Sequence, residues 1–110
     1  MGEKDEKLTQ ESVITAKLTI EKLGSLGDIT AKKMFGGHGL FYDGKMFCIV
    51  DSKGQGYLKV NDSNRIDFEE KGASKHSRMP YYSIPRDVFN NLDELVQWAK
   101  KSIDTALQGA

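Results

Sequence analysis

The chain has 110 residues, the size of one domain, and its 38% hydrophobic and 29% charged residues are near the globular average. Its 16 basic and 16 acidic residues give a net charge of zero, which excludes the highly basic class of polyanion-binding proteins. One cysteine excludes an intramolecular disulfide, and no apolar run suits a signal peptide or a membrane span, so we expect a soluble cytoplasmic protein without a membrane partner.

The first predicted element is a helix that follows a flexible N-terminus at residues 1–8. Thr9 is a suitable N-cap for this helix. Apolar residues then recur at spacings of three and four, which places them on one helix face: Val13, Ala16, Ile20 and Leu23. Gly24 fits the position after the helix, where a left-handed backbone is common. We expect residues 9–110 to form a single domain.

The middle of the chain has the composition of strands joined by short turns. The predicted strands are Ile29–Met34, Gly37–Tyr42, Met46–Val50 and Tyr57–Val60. Asp43 and Gly44 suit a type I′ turn, because both central residues of that turn need positive φ. The run from Met46 to Val50 is apolar at every position, which predicts a central strand buried on both faces.

The last third of the chain is predicted to hold two helices and an extended segment. A short helix is capped near Asp62 or Ser63 and ends at Gly72. Met79–Pro85 carries a proline near each end, which predicts an edge strand or an ordered strap. Asn91 caps the final helix, whose apolar stripe is Leu92, Leu95, Val96, Ala99, Ile103 and Ala106.

This order of elements predicts an α+β fold. Adjacent strands joined by short turns are antiparallel, and one face of their sheet must be covered by apolar helix stripes. We therefore expect a two-layer sandwich in which an antiparallel sheet of four to five strands packs on the N- and C-terminal helices.

The glycines, the cysteine and the histidines are the residues that could form a phosphate loop, a catalytic pair or a metal site. The segment "GGHG" at residues 36–39 matches neither the dinucleotide-binding pattern nor a P-loop. Cys48 lies within the apolar strand, where a thiol is inert, although a Cys48–His38 nucleophile pair stays open as an alternative. The two histidines, His38 and His76, lack further ligands at metal-site spacing. We expect no catalytic residue, metal or cofactor.

A cluster of cations is the strongest sign of a binding surface. Residues 30–86 carry a net charge of +4, whereas both ends of the chain are acidic. Lysine and arginine contact phosphates, and neighbouring tyrosines can stack on bases. The candidate nucleic-acid or partner surface is Lys32, Lys33, Lys71, Lys75 and Arg78. Packing of "PYYSIP" as a strap is an equally complete account of the tyrosines in this cluster.

Four ordered blocks resemble the N-terminal domain of the TfoX/Sxy family of bacterial proteins: "MFGGHGLFYDGKMFCIV", "YLKV", "MPYYSIP" and "LVQWAKK". The resemblance runs from about Val13 to Ile103. It implies a two-layer domain with an antiparallel sheet, like secretion-chaperone-like folds, and a link to the regulation of natural competence. It implies no catalytic residue. Competence regulators of this family look like two-domain proteins, so a chain that ends at Ala110 is expected to be a stand-alone module.

The resulting functional hypothesis is a non-enzymatic, TfoX-like regulatory module that acts in competence or transcription through protein or DNA contacts. Two alternatives stay open. One is a protein-interaction module or homodimer without a nucleic-acid role, and the other is an enzyme that uses Cys48 or His38.

Overall fold

A computed structural model describes residues 9–34 and 36–108 of the chain. The predicted flexible N-terminus at residues 1–8 lies outside these described residues. The helices are α1 (Gln10–Lys22), α2 (Arg65–Glu70), α3 (Arg86–Phe89) and α4 (Leu92–Gln108), with a 3-10 turn at Gly24–Leu26. The strands are β1 (Ile29–Met34), β2 (Gly37–Tyr42), β3 (Lys45–Val50), β4 (Gly56–Lys59) and β5 (Tyr81–Ser83).

The strands form one antiparallel sheet in the order β1-β2-β3-β4-β5. Helices α1 and α4 pack on the same face of this sheet, and their buried residues join those of the strands in one core. We call this the helix-covered face and the opposite one the open face. The predicted α+β sandwich of an antiparallel sheet on terminal helices is therefore confirmed.

Strand β3 lies at the centre of the sheet and supplies much of the core, as its apolar run predicts. Cys48 pairs with Leu40 on one side and Leu58 on the other, and all three side chains are buried. A β-bulge interrupts the pairing with β2, because Leu40 pairs with Cys48 whereas Phe41 pairs with Met46. Phe47 is the extra residue, and it too is fully buried.

The hairpin between β2 and β3 turns at Asp43 and Gly44. Their φ angles are 52° and 78°, so both residues are left-handed, as a type I′ turn requires. The predicted turn is confirmed.

We expect Gly44→Val to lower the stability of the protein, because a β-branched residue at a φ of 78° is a steric outlier. A cost of about 1–3 kcal/mol is typical of such strain. Urea unfolding of the variant measures it. In the described part of the chain, no atom beyond the two neighbouring residues lies within 4 Å of a Cβ at this position, so a loss of stability would report mainly backbone strain. Unchanged stability would contradict the assigned turn.

Only the N-terminal end of helix α1 forms as the sequence predicts. The hydroxyl of Thr9 accepts a hydrogen bond from the N–H of Ser12 at 3.1 Å, which confirms the N-cap. The prediction that Gly24 is the left-handed residue after the helix is wrong. The chain instead tightens into the 3-10 turn at Gly24–Leu26, and the positive φ of 133° falls on Gly27.

The buried face of α1 is rotated from the predicted stripe. Ala16 and Leu23 are buried as expected, but Val13 and Ile20 are only half-buried. Ser12 and Thr19 are fully buried instead, because each hydroxyl has a hydrogen-bond partner that compensates for its removal from water.

Helix α4 follows its prediction more closely. The side chain of Asn91 accepts a hydrogen bond from the N–H of Glu94 at 3.2 Å, which confirms the cap. Leu95, Ala99, Ile103 and Ala106 are buried in the core, whereas Leu92 is 52% exposed.

Helix α2 is shorter than predicted and begins at Arg65 rather than near Asp62 or Ser63. Asn64 precedes the helix, and its side chain connects the loop to strand β4. It accepts a hydrogen bond from the N–H of Asn61 and donates one to the carbonyl of Lys59.

None of the helices in the described residues is both long and apolar enough to cross a membrane.

Candidate ligand-binding site on the open face of the sheet

The only cysteine of the chain lies in the core, where its thiol is unreactive. Cys48 has no exposed surface, and burial raises the pKa of its thiol to about 12. The thiolate is the reactive form, so at neutral pH the folded protein holds this sulfur as a thiol. The interpretation of Cys48 as a core residue is confirmed.

Cys48 is expected to react with a thiol reagent only when the protein unfolds. At pH 8 the folded protein should label at the slow rate set by opening of the structure, and the denatured protein should label at once. The time course with an aromatic disulfide, with and without urea, measures the difference. Rapid labelling without urea would contradict the buried position.

The second member of the suggested nucleophile pair contacts a different residue. His38 lies on β2, and its Nδ1 is 3.0 Å from the hydroxyl of Ser12, which is itself fully buried. Desolvation, together with the nearby charge of Lys33, lowers the pKa of this imidazole. The pair ties helix α1 to the sheet, and its serine has no surface at which a substrate could reach it.

The buried His38 should make the protein less stable in mild acid. Because its folded pKa lies below the unfolded value of about 6.5, the unfolded chain binds the proton more readily. This contribution to stability is complete above pH 6.5 and is lost as the pH falls through the folded pKa. Urea midpoints between pH 8 and pH 5 should fall for the wild type.

His38→Asn removes the titrating ring and keeps an amide near the position of Nδ1. We expect its urea midpoints to change less with pH than those of the wild type, whatever its absolute stability. Ser12→Ala, which keeps the ring, is the control and should retain the pH dependence. An equal slope in the wild type and His38→Asn would contradict this assignment.

A cavity of about 170 Å³ lies on the open face of the sheet. Its lining residues come from β1, β3 and the loop before β5, and they are Met34, Met46, Ile49, Val50, Asp51, His76 and Met79. Most of its surface is therefore apolar, and three of its side chains end in a polarisable thioether. Small-molecule sites are typically of this kind, concave and apolar with a few polar groups.

Gly39 makes room for this cavity. It pairs with Ile49 in the sheet, and a Cβ at this position would lie 2.7 Å from the sulfur of Met46 and 3.0 Å from that of Met34. The two sulfurs thus converge on the space above a residue that has no side chain. A larger residue at position 39 would displace both.

The loop before β5 closes the cavity from the other side. The N–H of Ser83 donates to the carbonyl of Ser74, and the N–H of His76 donates to that of Tyr81, both at 2.8 Å. Residues 74–76 thereby pair with the outer edge of β5. The chain then turns back through Ser77, whose φ is 54°, and brings Met79 onto the open face. We call residues 74–80 the strap; the segment Met79–Pro85, predicted as an edge strand or a strap, contains the strand β5.

Two tyrosines hold the strap against the sheet. The ring of Tyr57 meets that of His76 edge-on, with centroids 4.5 Å apart, and its hydroxyl donates to Asp51 at 3.1 Å. Tyr81 is buried, and its hydroxyl donates to the carbonyl of Met46 at 3.1 Å. Burial raises the pKa of Tyr81 to about 12, so the hydroxyl stays a donor throughout the neutral range.

His76 and Asp51 are the polar residues in the lining, and their bonding differs. The carboxylate of Asp51 accepts from Tyr57 and from the N–H groups of Lys53 and Gln55, so it is well satisfied. The Nδ1 of His76 is buried and has no hydrogen-bond partner in the described part of the chain. A buried nitrogen without a partner is unusual enough to call for an explanation.

The five predicted cations are spread over the structure. Lys32 lies on the open face, where its ammonium is 5.1 Å from the Phe41 ring centre, and Arg78 is exposed next to Met79. Lys33 alternates to the other face, beside His38. The backbone of Lys75 pairs with that of Tyr82 on the outer side of β5, and Lys71 forms an ion pair with Asp87. β1 and β5 are at opposite edges of the sheet and Lys33 is on the other face from Lys32, so the five side chains do not share one surface.

The methionine cavity was not predicted from the sequence. Its residues lie on distant segments, and only strand register and the return of the strap bring them together.

A comparison with protein families matches residues 21–106 to the TfoX N-terminal domain. The chain belongs to the TfoX N-terminal domain family. No curated protein matches the chain. The resemblance inferred from the four sequence blocks is thus confirmed, and the cavity lies within the matched TfoX N-terminal domain.

Proposed function

We propose that this protein is a non-enzymatic, cytoplasmic regulatory module that acts in transcription, in the context of competence, by binding a partner protein on its open face. The observation that carries the proposal is the cavity between Met34 and Met79. Flexible, polarisable methionine side chains adapt to apolar groups of different shapes, which is why they recur at protein-binding surfaces. Ile49 also lines this cavity.

The charge around the cavity indicates the chemistry of the partner. Lys32 precedes Met34 by two residues on β1, and Arg78 precedes Met79 on the strap. Residues 29–42 and 71–86, which contain these cations, include no aspartate or glutamate. Asp51 is the carboxylate in the lining, and it already accepts hydrogen bonds from Tyr57, Lys53 and Gln55. An acidic segment with one protruding apolar side chain is therefore complementary to the two cations, and electrostatic complementarity gives specificity and a faster association rate.

Site-specific photo-crosslinking in cells tests the proposal. A photoreactive phenylalanine replaces the exposed Arg78 in one variant and the exposed Glu21 of α1 in the control. We expect a protein crosslinked from position 78 and not from position 21. Adding Lys32→Glu should abolish the crosslink, whereas Lys17→Glu on α1 should leave it intact. The same products from both positions, or no effect of Lys32→Glu, would contradict the proposed surface.

Contact with DNA is a second candidate, which the two acid-free segments favour. If Lys32 and Arg78, the two cations beside the cavity, each contact a phosphate, affinity should fall about tenfold between 50 and 200 mM salt. Fluorescence anisotropy with a promoter-length duplex measures the slope, and Arg78→Gln should reduce it by about one unit. A flat response to salt, or no binding, would remove this candidate.

Self-association is the third candidate and would use the edge of the sheet at β1, which pairs with no further strand among residues 9–34 and 36–108. Lys32 and Lys33 stand on this edge, and lysines there usually discourage pairing with another strand. Light scattering over a range of protein concentrations measures whether a dimer forms. A monomer at every concentration would exclude the homodimer.

A further inference from the structure

We propose that Met34, Met46, Met79 and His76 form a binding site for a soft monovalent metal ion, Cu(I) in particular. The inference goes beyond the proposed function and does not depend on it. It rests on three methionines and one histidine that line the same cavity, and on the sulfurs of Met34 and Met46, which both lie within 3.0 Å of one point above Gly39.

The sulfurs are brought together by the sheet. Met34 on β1 and Met46 on β3 lie on either side of Gly39 on β2, and both sulfurs reach within 3.0 Å of the point where a Cβ would stand. Met79 joins them from the strap. Two sulfurs that converge on one point above a glycine can act together as ligands with little rearrangement of the backbone.

The imidazole supplies a nitrogen ligand. Nδ1 of His76 is buried and lacks a hydrogen-bond partner among the described residues, although His76 lies against the cavity. A metal ion is one of the partners that satisfy such a nitrogen. The edge-on Tyr57 ring limits how the imidazole can turn, and Asp51 holds the tyrosine hydroxyl in place.

The ligand set selects the type of ion. Thioethers are soft ligands that favour Cu(I), whereas Mg²⁺ and Ca²⁺ need several oxygen ligands. Asp51 is the one carboxylate in the lining, and its oxygens already accept hydrogen bonds. In the described residues, no group of three or more His, Cys, Asp or Glu is placed to hold a metal ion, so a zinc site is not indicated.

The thiol of Cys48 is not part of the proposed site. It faces Leu40 and Leu58 on the helix-covered side of the sheet, whereas the cavity is on the open side. This separation makes the proposal testable, because Cu(I) bound by the thiol and Cu(I) bound by the methionines respond to different substitutions.

Titration of the intact chain with Ag(I), a redox-stable substitute for Cu(I), is the primary test. The protein is labelled with ¹³C at the methionine methyl groups and at the histidine rings. We expect the signals of Met34, Met46 and Met79 to shift together and to stop changing at one equivalent of Ag(I), along with the ring signals of His76. Unshifted signals for these methyl groups at one equivalent would overturn the proposal.

Affinity for Cu(I) itself is measured without oxygen by competition with a chromogenic Cu(I) chelator. Loss of a residue that only supports a metal ligand costs about 10–100-fold in affinity, so loss of ligands should cost at least as much. We therefore expect Met34→Leu/Met46→Leu, and separately His76→Gln, to weaken binding by about tenfold or more. Leucine keeps the volume and apolar character of methionine but removes the sulfur.

Two control variants complete the design. His38→Asn and Cys48→Ala should bind Cu(I) as tightly as the wild type. Binding that disappears in Cys48→Ala, or that is unchanged in the double methionine variant, would overturn the proposal. The crosslinking test of the partner surface uses no added metal and reads out a different product, so either result can fail while the other holds.

Discussion

Gly37→Ala is expected to destabilise the protein by more than about 3 kcal/mol, beyond the usual cost of adding one methylene to a packed interior. Gly37 is buried at the start of β2, and a Cβ there would lie 2.0 Å from the carbonyl oxygen of Val50. That atom belongs to the backbone of the central strand, which is paired on both sides and cannot rotate away. Urea unfolding, followed by circular dichroism, measures the loss.

A second glycine provides the matched control. Gly24 is exposed, and among the described residues no atom beyond its chain neighbours lies within 4 Å of its Cβ position, so Gly24→Ala should change stability by less than about 0.5 kcal/mol. Domains of this kind are stable by about 5–15 kcal/mol, and Gly37→Ala therefore removes a large part of the total. Equal effects of the two substitutions would show that the close approach to Val50 does not govern stability.

The predictions that hold depend on local chemistry. Thr9 and Asn91 cap their helices because a side-chain oxygen reaches an N–H only three residues away, a contact the sequence spacing specifies. Asp43 and Gly44 form their turn because few other residues accept two consecutive positive φ angles. The continuous apolar run in β3 similarly leaves no polar side for a solvent-facing strand.

The predictions that fail depend on contacts between distant segments. The periodicity of α1 cannot identify Ser12 as a core residue, because its burial rests on a hydrogen bond to His38, 26 residues away. Gly24 fits a left-handed helix end by residue type, yet the chain turns through Gly27 instead. The four-residue α3 is too short to show a helical period.

The candidate site shows the same limit. Strict alternation along a strand would place Met46 and Ile49 on opposite faces of the sheet. The bulge at Phe47 instead brings both side chains to one cavity. Nothing local to residues 74–80 indicates that His76 and Met79 return over the sheet. Of the five predicted cations, Lys32 and Arg78 are the two placed beside this cavity, near Met34 and Met79 respectively.

Phe47→Ala is expected to cost about 3–5 kcal/mol, the range for removing a buried aromatic side chain. Phe47 has no exposed surface and contributes to the same core as Leu40 and Leu95. It is also the extra residue of the bulge, which lets two consecutive side chains, Phe47 and Cys48, enter that core. The loss therefore combines transfer of the ring to water with a void beneath the helices.

Ile66→Ala is the control, because Ile66 on α2 is 57% exposed and should contribute within about 0.5 kcal/mol. Urea midpoints of the two variants, at unchanged slope, give the comparison. If Phe47→Ala cost no more than Ile66→Ala, the bulge would point its phenylalanine away from the core. Met46 and Ile49 would then no longer be held on one side of the sheet, and the cavity they line would lose its structural basis.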